Sequence, residues 1–359
     1  MNIIWAIPIF DNPQTGGEIF FKRLVELLKS KGIFITNAYR ESKERRSILR
    51  KIFINLRNFI ILIRQDKQTP IFHNLFNRSE FLLANLFLHI FFRRKIILFI
   101  HEVYEIDHLT VFKKLYHSLI NYISFISSSL IVTNSRFTAG WVCRFGNFEN
   151  KIFVMYPVMD LRTDNEERLK ESRNNSANIL CVGNIRRNKG QIYLLQAMKC
   201  IKHNFKIVFA GLIKENDYME QLKEYCVKNS ISDKVRFTGF LNRNQLSEEY
   251  KKADIFVLPT LKEGFGMTVL EAMCYGLPVV ISNIGAIPEI VEDRVNGLLV
   301  EPKNPESLSK AINEILEKPI FRERLQRNAI ERAAQFKTIE EQFDQFFKRI
   351  ASVVTKELI

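Results

Sequence analysis

Residues 253–302 constrain this chain more than any other stretch. The apolar run Ala253 to Pro259 reads as a buried strand, Glu263 and Gly264-Phe265-Gly266 form a glycine turn, and Val269, Leu270, Ala272 and Met273 fall on one face of a helix. Gly276-Leu277-Pro278 stops that helix, and Val279 to Ile281 reads as a second buried strand. Strand, turn, helix and strand in that order require a parallel sheet flanked by helices. The turn opens directly into a helix N-terminus, whose backbone N–H groups lack intrahelical partners and carry partial positive charge, so it suits a phosphate or diphosphate. Glu271 follows about one turn inside the helix, where a carboxylate can accept hydrogen bonds from sugar hydroxyls.

The same grammar runs through the rest of the chain. Strands are expected at Asn178 to Val182, Lys206 to Ala210 and Val235 to Thr238, separated by helices that include Asp217 to Lys228 and Leu246 to Lys252. Upstream, Asn2 to Ile9 is a strand, Gly16-Gly17 a turn and Ile19 to Leu28 a helix; further strands end at His73, at His101 and at Thr133, and a helix begins near Thr138. The 359 residues, 47% of them hydrophobic, can bury two cores. The fold class expected is α/β, with two facing Rossmann-like doubly wound domains at 1–158 and 178–335. Residues 159–177, polar and without apolar period, read as a linker. Residues 336–359, with Phe343, Phe346, Phe347 and Ile350 on one stripe, read as a C-terminal helix returning to the first domain.

Five cysteines, with no C-x-x-C pair, argue against a disulfide framework or a zinc site and for a reducing, cytoplasmic setting. MNIIWAIPIF lacks a leading basic segment and reads as a core strand, not a signal peptide. No run reaches the ~18 apolar residues of a spanning helix; FLLANLFLHIFF at 81–92 reads as a buried helix. The net charge of +14 is uneven: residues 1–150 hold 21 Lys+Arg against 11 Asp+Glu, a net of +10, leaving +4 for the remainder. Residues 43–64 combine basic residues with Ile, Leu and Phe at helical spacing, the profile of a helix lying on an anionic bilayer or, equally, of an ordinary surface helix. The basic clusters Arg93-Arg94-Lys95 and Lys113-Lys114 favour the membrane surface as partner. Nucleic acid is not expected, since no aromatic stacking platform or reader motif accompanies the charge.

In open α/β sheets ligands lie beyond the C-terminal strand ends. Candidates there are His73, His101 with the polar residues Glu102, Tyr104, Glu105 and Asp107 behind it, and Gly16-Gly17, which is also simply a permissive turn. In the second half, Arg186, Arg187 and Lys189 lie in one strand-to-helix loop and Gly264 to Thr268 in another, which makes a diphosphate site without a metal. There is no Asp-x-Asp triplet, no G-x-x-x-x-G-K-[ST] loop and no G-x-G-x-x-G after a strand, which disfavours a metal-held sugar nucleotide, a P-loop ATPase and a dinucleotide dehydrogenase.

With these residues in place, the sequence resembles the GT-B glycosyltransferases of family 4, retaining sugar-nucleotide enzymes also described as glycosyl transferases group 1. The resemblance rests on Glu263, Gly264-Phe265-Gly266 and Glu271, then Ala272-Met273, Gly276-Leu277-Pro278-Val279-Val280, Gly285-Ala286-Ile287-Pro288-Glu289-Ile290-Val291 and Asn296-Gly297-Leu298-Leu299-Val300, with Asn134-Ser135 and Tyr156-Pro157 fitting in the first half. It implies that amides around Gly266, Met267 and Thr268 hold the donor diphosphate, with Gly264 and Phe265 in the same turn, and that Lys189 stabilises the leaving group. It implies further that Glu271 binds the ribose, that Glu263 contacts the donor sugar, that His101 acts at the reaction centre, and that Gly16-Gly17 line the acceptor side. Closure of the two halves would complete such a site. The family has Gly-Arg where this chain has Gly183-Asn184, so Arg186 or Arg187 is the candidate substitute. A tryptophan often found near the C-terminal end is absent, with Phe336 and Thr338 in its neighbourhood.

The function expected is transfer, with retention, of a sugar from a nucleoside-diphosphate sugar to a glycan or lipid-linked acceptor in cell-surface polysaccharide synthesis, with no metal or other cofactor, on the inner face of the cell membrane. The alternative is a non-catalytic sugar-binding or scaffold subunit of the same fold, suggested by Asn184; a nucleotide-sugar epimerase is a remoter enzyme reading.

Overall fold

The computed structural model describes residues 2–6, 13, 15–37, 69–74, 93–101, 103, 110–158 and 176–355. The helices expected at 43–64 and 81–92, the residues Glu102, Tyr104, Glu105 and Asp107, and most of the expected linker lie outside them. The chain divides into two compact units, Met1–Met159 with Lys337–Ile359, and Asp160–Phe336.

The first unit is built on a six-stranded sheet in the order β2-β1-β3-β4-β5-β6, with every pair parallel. Its strands are β1 (Asn2–Ala6), β2 (Phe34–Asn37), β3 (Ile71–Asn74), β4 (Ile96–Ile100), β5 (Leu130–Thr133) and β6 (Ile152–Val154). Successive side chains of a strand point to opposite faces, and β4 shows the result. Ile97 and Phe99 join one core with Phe20, Leu24 and Leu28 of α1 (Gly16–Ser30), while Leu98 and Ile100 join the other with Phe125 of α2 (Val111–Ser127) and Trp141 of α3 (Arg136–Cys143). The final helix of the chain, Ile339–Thr355, belongs to this unit: Ile339, Phe343, Phe346 and Ile350 enter the first core. Its start is pinned by the Ile339 N–H donating to Val158 O (2.7 Å) and by the Gln342 amide, which donates to Tyr156 O and accepts from Tyr156 N–H.

The basic cluster 93–95 is not the surface feature expected of it. Arg93 is exposed, but Arg94 at the foot of β4 is 1% exposed, its Nη1 donating to Thr69 O at the foot of β3. Sheet packing takes this guanidinium away from solvent, so it adds nothing to a membrane-facing patch.

The second unit repeats the plan in the order β12-β11-β10-β7-β8-β9, again all parallel. Its strands are β7 (Ala177–Val182), β8 (Phe205–Ala210), β9 (Val235–Gly239), β10 (Ile255–Leu258), β11 (Val279–Ser282) and β12 (Leu298–Val300). The helices between them are α4 (Gln191–Ala197), α5 (Asn216–Lys228), α6 (Arg243–Lys252), α7 (Met267–Cys274) and α8 (Ile287–Ile290); α9 (Pro305–Glu317) and α10 (Pro319–Ala334) follow the last strand. The apolar face anticipated for α7 is buried, with Val269, Leu270, Ala272 and Met273 each at most 1% exposed. Burial of the larger side chains there contributes about 1.5–3 kcal/mol apiece. In this sheet the strand order reverses between β7 and β10, which pair side by side, and crevices beyond strand ends form at such a reversal.

Candidate functional site in the second unit

The loops leaving β7 and β10 emerge at that reversal and are joined by backbone contacts. The Leu261 N–H donates to Asn188 O (2.8 Å), and the buried Thr260 hydroxyl lies within hydrogen-bond distance of both Asn188 O and Lys262 O. Gly190 sits at φ +67°, so close to the second loop that a Cβ would come within 2.0 Å of Pro259 O. Only glycine combines the left-handed backbone with that approach.

This junction sets Lys189 opposite Glu263. The Lys189 Nζ donates to Glu263 Oε2 at 2.7 Å, with the side chains 20% and 14% exposed. An ammonium–carboxylate contact of that length, partly withdrawn from water, is a strong hydrogen bond. The backbone of Glu263 is fixed from its other side by Gly285, where φ is +60° and a Cβ would stand 2.1 Å from Glu263 O. Two candidates about 70 residues apart in sequence are thus brought into contact, although neither was expected to be the other's partner.

Beyond Glu263 the chain passes Gly264 and Phe265 and enters α7 with Gly266 at the N-cap. Met267 and Thr268 occupy the first turn, where N–H groups lack intrahelical acceptors. The Phe265 ring is 2% exposed and packs edge-on against Phe336 at 5.9 Å, while Arg332 lies over Phe336. Phe265 is therefore a packing side chain beneath the turn, and Phe336 fills the neighbourhood where a tryptophan was noted as missing.

Glu271 has a partner that the sequence reading missed. The Tyr250 hydroxyl, on α6, donates to Glu271 Oε2 at 2.8 Å. Tyr250 is 2% exposed and stacks on Tyr275 at 5.0 Å, and the Tyr275 hydroxyl donates to Ser247 Oγ at 2.7 Å. Burial pushes the Glu271 carboxyl up, while the Tyr250 hydrogen bond and the charge of Arg243 pull it back. Burial, together with the Glu271 charge, holds the Tyr250 phenol well above its ordinary value, so it remains a donor. The available signal was a single aromatic hydroxyl on the otherwise polar helix RNQLSEEYKK, whose one buried residue is Tyr250.

The arginines behave differently from Lys189. Arg187 turns to the first turns of α5, with Nη2 2.5 Å from Asp217 Oδ2, Nη1 donating to Gln221 Oε1 and the guanidinium over the Tyr218 ring. Arg186 lies 3.9 Å from Glu215. Asn184 uses its carbonyl to accept from Gln191 Nε2 at 3.0 Å. Buried acceptors Asn188 Oδ1 and Gln191 Oε1, in the same loop and the helix after it, have no hydrogen-bond partner among the described residues. The Cys181 thiol, buried on β7, is pushed up to about 12 by burial and is no nucleophile at neutral pH. Among the described residues no three His, Cys, Asp or Glu side chains gather as a metal site.

The candidates of the first unit lie at one end of its sheet. Gly16 and Gly17 are the first two residues of α1 and not a separate turn; Thr15 caps the helix, accepting from the Glu18 N–H while the Glu18 carboxylate accepts from the Thr15 N–H. Two residues on, Phe20 and Phe21 pack edge-on against the His101 ring at 5.1 and 4.6 Å. His101 follows β4, its carbonyl accepting from Asn134 Nδ2 at 2.6 Å, and burial lowers its imidazole to about 4. His73, inside β3, is 4% exposed and also lowered to about 4 by burial. Both are neutral at physiological pH.

Residues 163–332 match the family described as glycosyl transferases group 1. Among curated proteins, an uncharacterized glycosyltransferase of Methanocaldococcus jannaschii is 37% identical over 221 residues, 58% of this chain and 56% of the relative. The chain spans about half the length of the curated relatives it matches. Among solved structures, Anabaena HepE in complex with UDP-glucose aligns over 98% of this chain and 100% of its own, with a TM-score of 0.76 and 19% identity. A sucrose-phosphate synthase from Thermosynechococcus elongatus covers the same shares with a TM-score of 0.77 and 19% identity. At such identity these two establish a shared fold.

Proposed function

We propose, from the match of residues 163–332 to the glycosyl transferases group 1 family, that this chain is a retaining glycosyltransferase using a nucleoside-diphosphate sugar as donor. The single observation that carries the reading is the joining of Lys189, Glu263 and the start of α7 at the strand-order reversal, with Glu271 braced by Tyr250 inside the same helix. Cleaving a sugar from a nucleoside diphosphate builds negative charge on the departing phosphate. The Lys189 ammonium and the first-turn amides of Met267 and Thr268 supply positive charge for it from a preorganised frame. Glu271 accepts from the ribose hydroxyls, and Glu263, within 2.7 Å of Lys189, accepts from the donor sugar. The complex of HepE with UDP-glucose, a protein sharing this fold, supports a nucleotide sugar as the donor class.

Lys189 takes the main electrostatic role because its partner is Glu263, just before the glycine turn into α7, whereas Arg187 turns to Asp217 on α5 and Arg186 lies nearest Glu215. His101 is proposed as the sugar-side residue in the first unit, acting at neutral pH as an uncharged hydrogen-bonding group since burial lowers its imidazole to about 4. The acceptor is proposed to be a glycan or lipid-linked sugar of a cell-surface polysaccharide, reached at an anionic membrane face, the surplus of basic residues in 1–150 being its support.

A thermal-shift panel of UDP-, GDP-, ADP- and CMP-sugars tests the donor class. A ligand that binds only the native state raises apparent stability, so one nucleotide series is expected to raise the melting temperature and a panel with no response contradicts the proposal.

A further inference from the structure

Among the described residues, nothing covers one apolar face of helix α2. Phe112 is 86% exposed and Val111 71%, and Leu115, Tyr116, Leu119, Tyr122 and Ile126 are exposed as well. At 100° per residue these seven side chains fall within an arc of about 140°. The opposite side of the helix is held by the core through Ile120 and Phe125. A convex stripe of two tyrosines, a phenylalanine and four aliphatic side chains is far beyond the scattered apolar exposure that needs no explanation.

The charge around the stripe identifies what it meets. Helix α2 has no acidic residue, and Lys113 and Lys114 flank the stripe, one beyond each edge. At its C-terminal end the Lys151 Nζ donates to Ile126 O at 3.1 Å, and the Ser129 N–H donates to Ile96 O, which brings the foot of β4, after exposed Arg93, beside the end of the helix. Residues 110–158 hold five basic side chains (Lys113, Lys114, Arg136, Arg144 and Lys151) against one acidic residue, Glu149. Apolar and aromatic side chains on a convex face, edged by lysines whose stems can lie along it while the ammonium groups reach outward, match the boundary between acyl chains and anionic headgroups. Among the described residues no helix is long and apolar enough to cross a membrane, so the contact is interfacial.

The geometry points to the exposed face of α2 as a docking surface for an anionic lipid bilayer. This deepens the membrane-face part of the proposed function and is independent of the donor site. The surface differs from residues 43–64, which sequence alone had singled out.

The test is flotation of the full chain with vesicles of phosphatidylcholine alone or with phosphatidylglycerol. Light scattering and a nucleotide-sugar thermal shift are run alongside on the wild type and on Phe112→Glu/Leu115→Glu/Leu119→Glu. The expected result is a monomer that floats with phosphatidylglycerol vesicles and a variant whose bound fraction falls at least about tenfold, since both apolar burial and attraction are removed, while its thermal shift is unchanged. A wild type that does not float with anionic vesicles overturns the proposal. A variant that floats like the wild type overturns it too, transferring the contact to another segment. A wild-type dimer that the three substitutions convert to a monomer overturns it in favour of a second copy of the chain. The donor reading fails separately, by loss of the thermal shift in both proteins.

Discussion

Replacing Tyr250 by phenylalanine removes one oxygen atom and leaves the stack on Tyr275 in place, so it deletes the hydrogen bond to Glu271 together with the longer contact to Thr268 O at 3.3 Å. With Glu271 ionised, that bond is charge-assisted, and its loss leaves a half-buried carboxylate short of a partner, costing about 1.5–3 kcal/mol. Urea unfolding at neutral pH should therefore show Tyr250→Phe destabilised by about 2 kcal/mol. In a Glu271→Ala background the same change should cost less, because the partner is already gone. The pH dependence follows from the carboxyl. Burial raises it and Tyr250 opposes the rise, so in Tyr250→Phe it moves higher still. Below its titration Glu271 is neutral and the bond is an ordinary one of about 0.5–1.5 kcal/mol. The destabilisation is thus larger at pH 7 than in acid, and the acid limb of nucleotide-sugar binding shifts toward neutrality. Equal cost in both backgrounds, or an unmoved acid limb, would refute the view that Tyr250 positions Glu271.

Other outcomes follow from the same coordinates. Gly190→Ala must place a Cβ 2.0 Å from Pro259 O at a left-handed φ; the backbone penalty alone is ~1–2 kcal/mol, so a loss above about 2 kcal/mol in chemical denaturation is expected together with weaker nucleotide-sugar binding, and wild-type behaviour would contradict the role given to the loop junction. Gly17→Ala is expected to be neutral or slightly stabilising in the same assay, since nothing lies within 4 Å of its Cβ and alanine is the better helix former. His73 and His101 are held neutral, near 4 instead of 6.5; a lowered histidine leaves native stability intact above pH 6.5 and reduces it as pH falls toward 4, by up to about 3 kcal/mol for a fully buried ring. For His73, 4% exposed, His73→Phe should flatten the acid side of the stability curve, and an unchanged slope would argue against burial as the cause.

The parallel α/β plan was legible because the strands of the second unit, apart from β9 with its Arg236 and Thr238, are short and largely apolar runs closed by Gly, Pro or a polar residue, and most of the helix periods between them are clear. The α7 segment is the strongest case, its four apolar positions all buried as the spacing required. Contacts between segments distant in sequence were not legible. Nothing in the neighbourhood of Lys189 or of Glu263 says that the two meet; that follows from β7 and β10 being neighbours at the strand-order reversal. Tyr250 was hidden for the same reason, and so were Asp217 and Gln221, which reach Arg187 from α5. Gly16-Gly17 was read as a turn from composition, whereas the Thr15–Glu18 capping box extends the helix back over both glycines. In α2 apolar residues occupy both the exposed and the buried side of the helix, so the uncovered face became visible only once the core was placed.

Lys189, Glu263 and α7 are proposed to carry a nucleoside-diphosphate sugar through bond cleavage. The rate of nucleoside-diphosphate release, measured with the donor series that stabilises the wild type, tests it most directly. Steady release is expected of the wild type and a fall of at least ~100-fold in Lys189→Ala, the scale of losing one preorganised charge-stabilising group, with Glu263→Ala also impaired and both variants folded. Release by Lys189→Ala at the wild-type rate would contradict it.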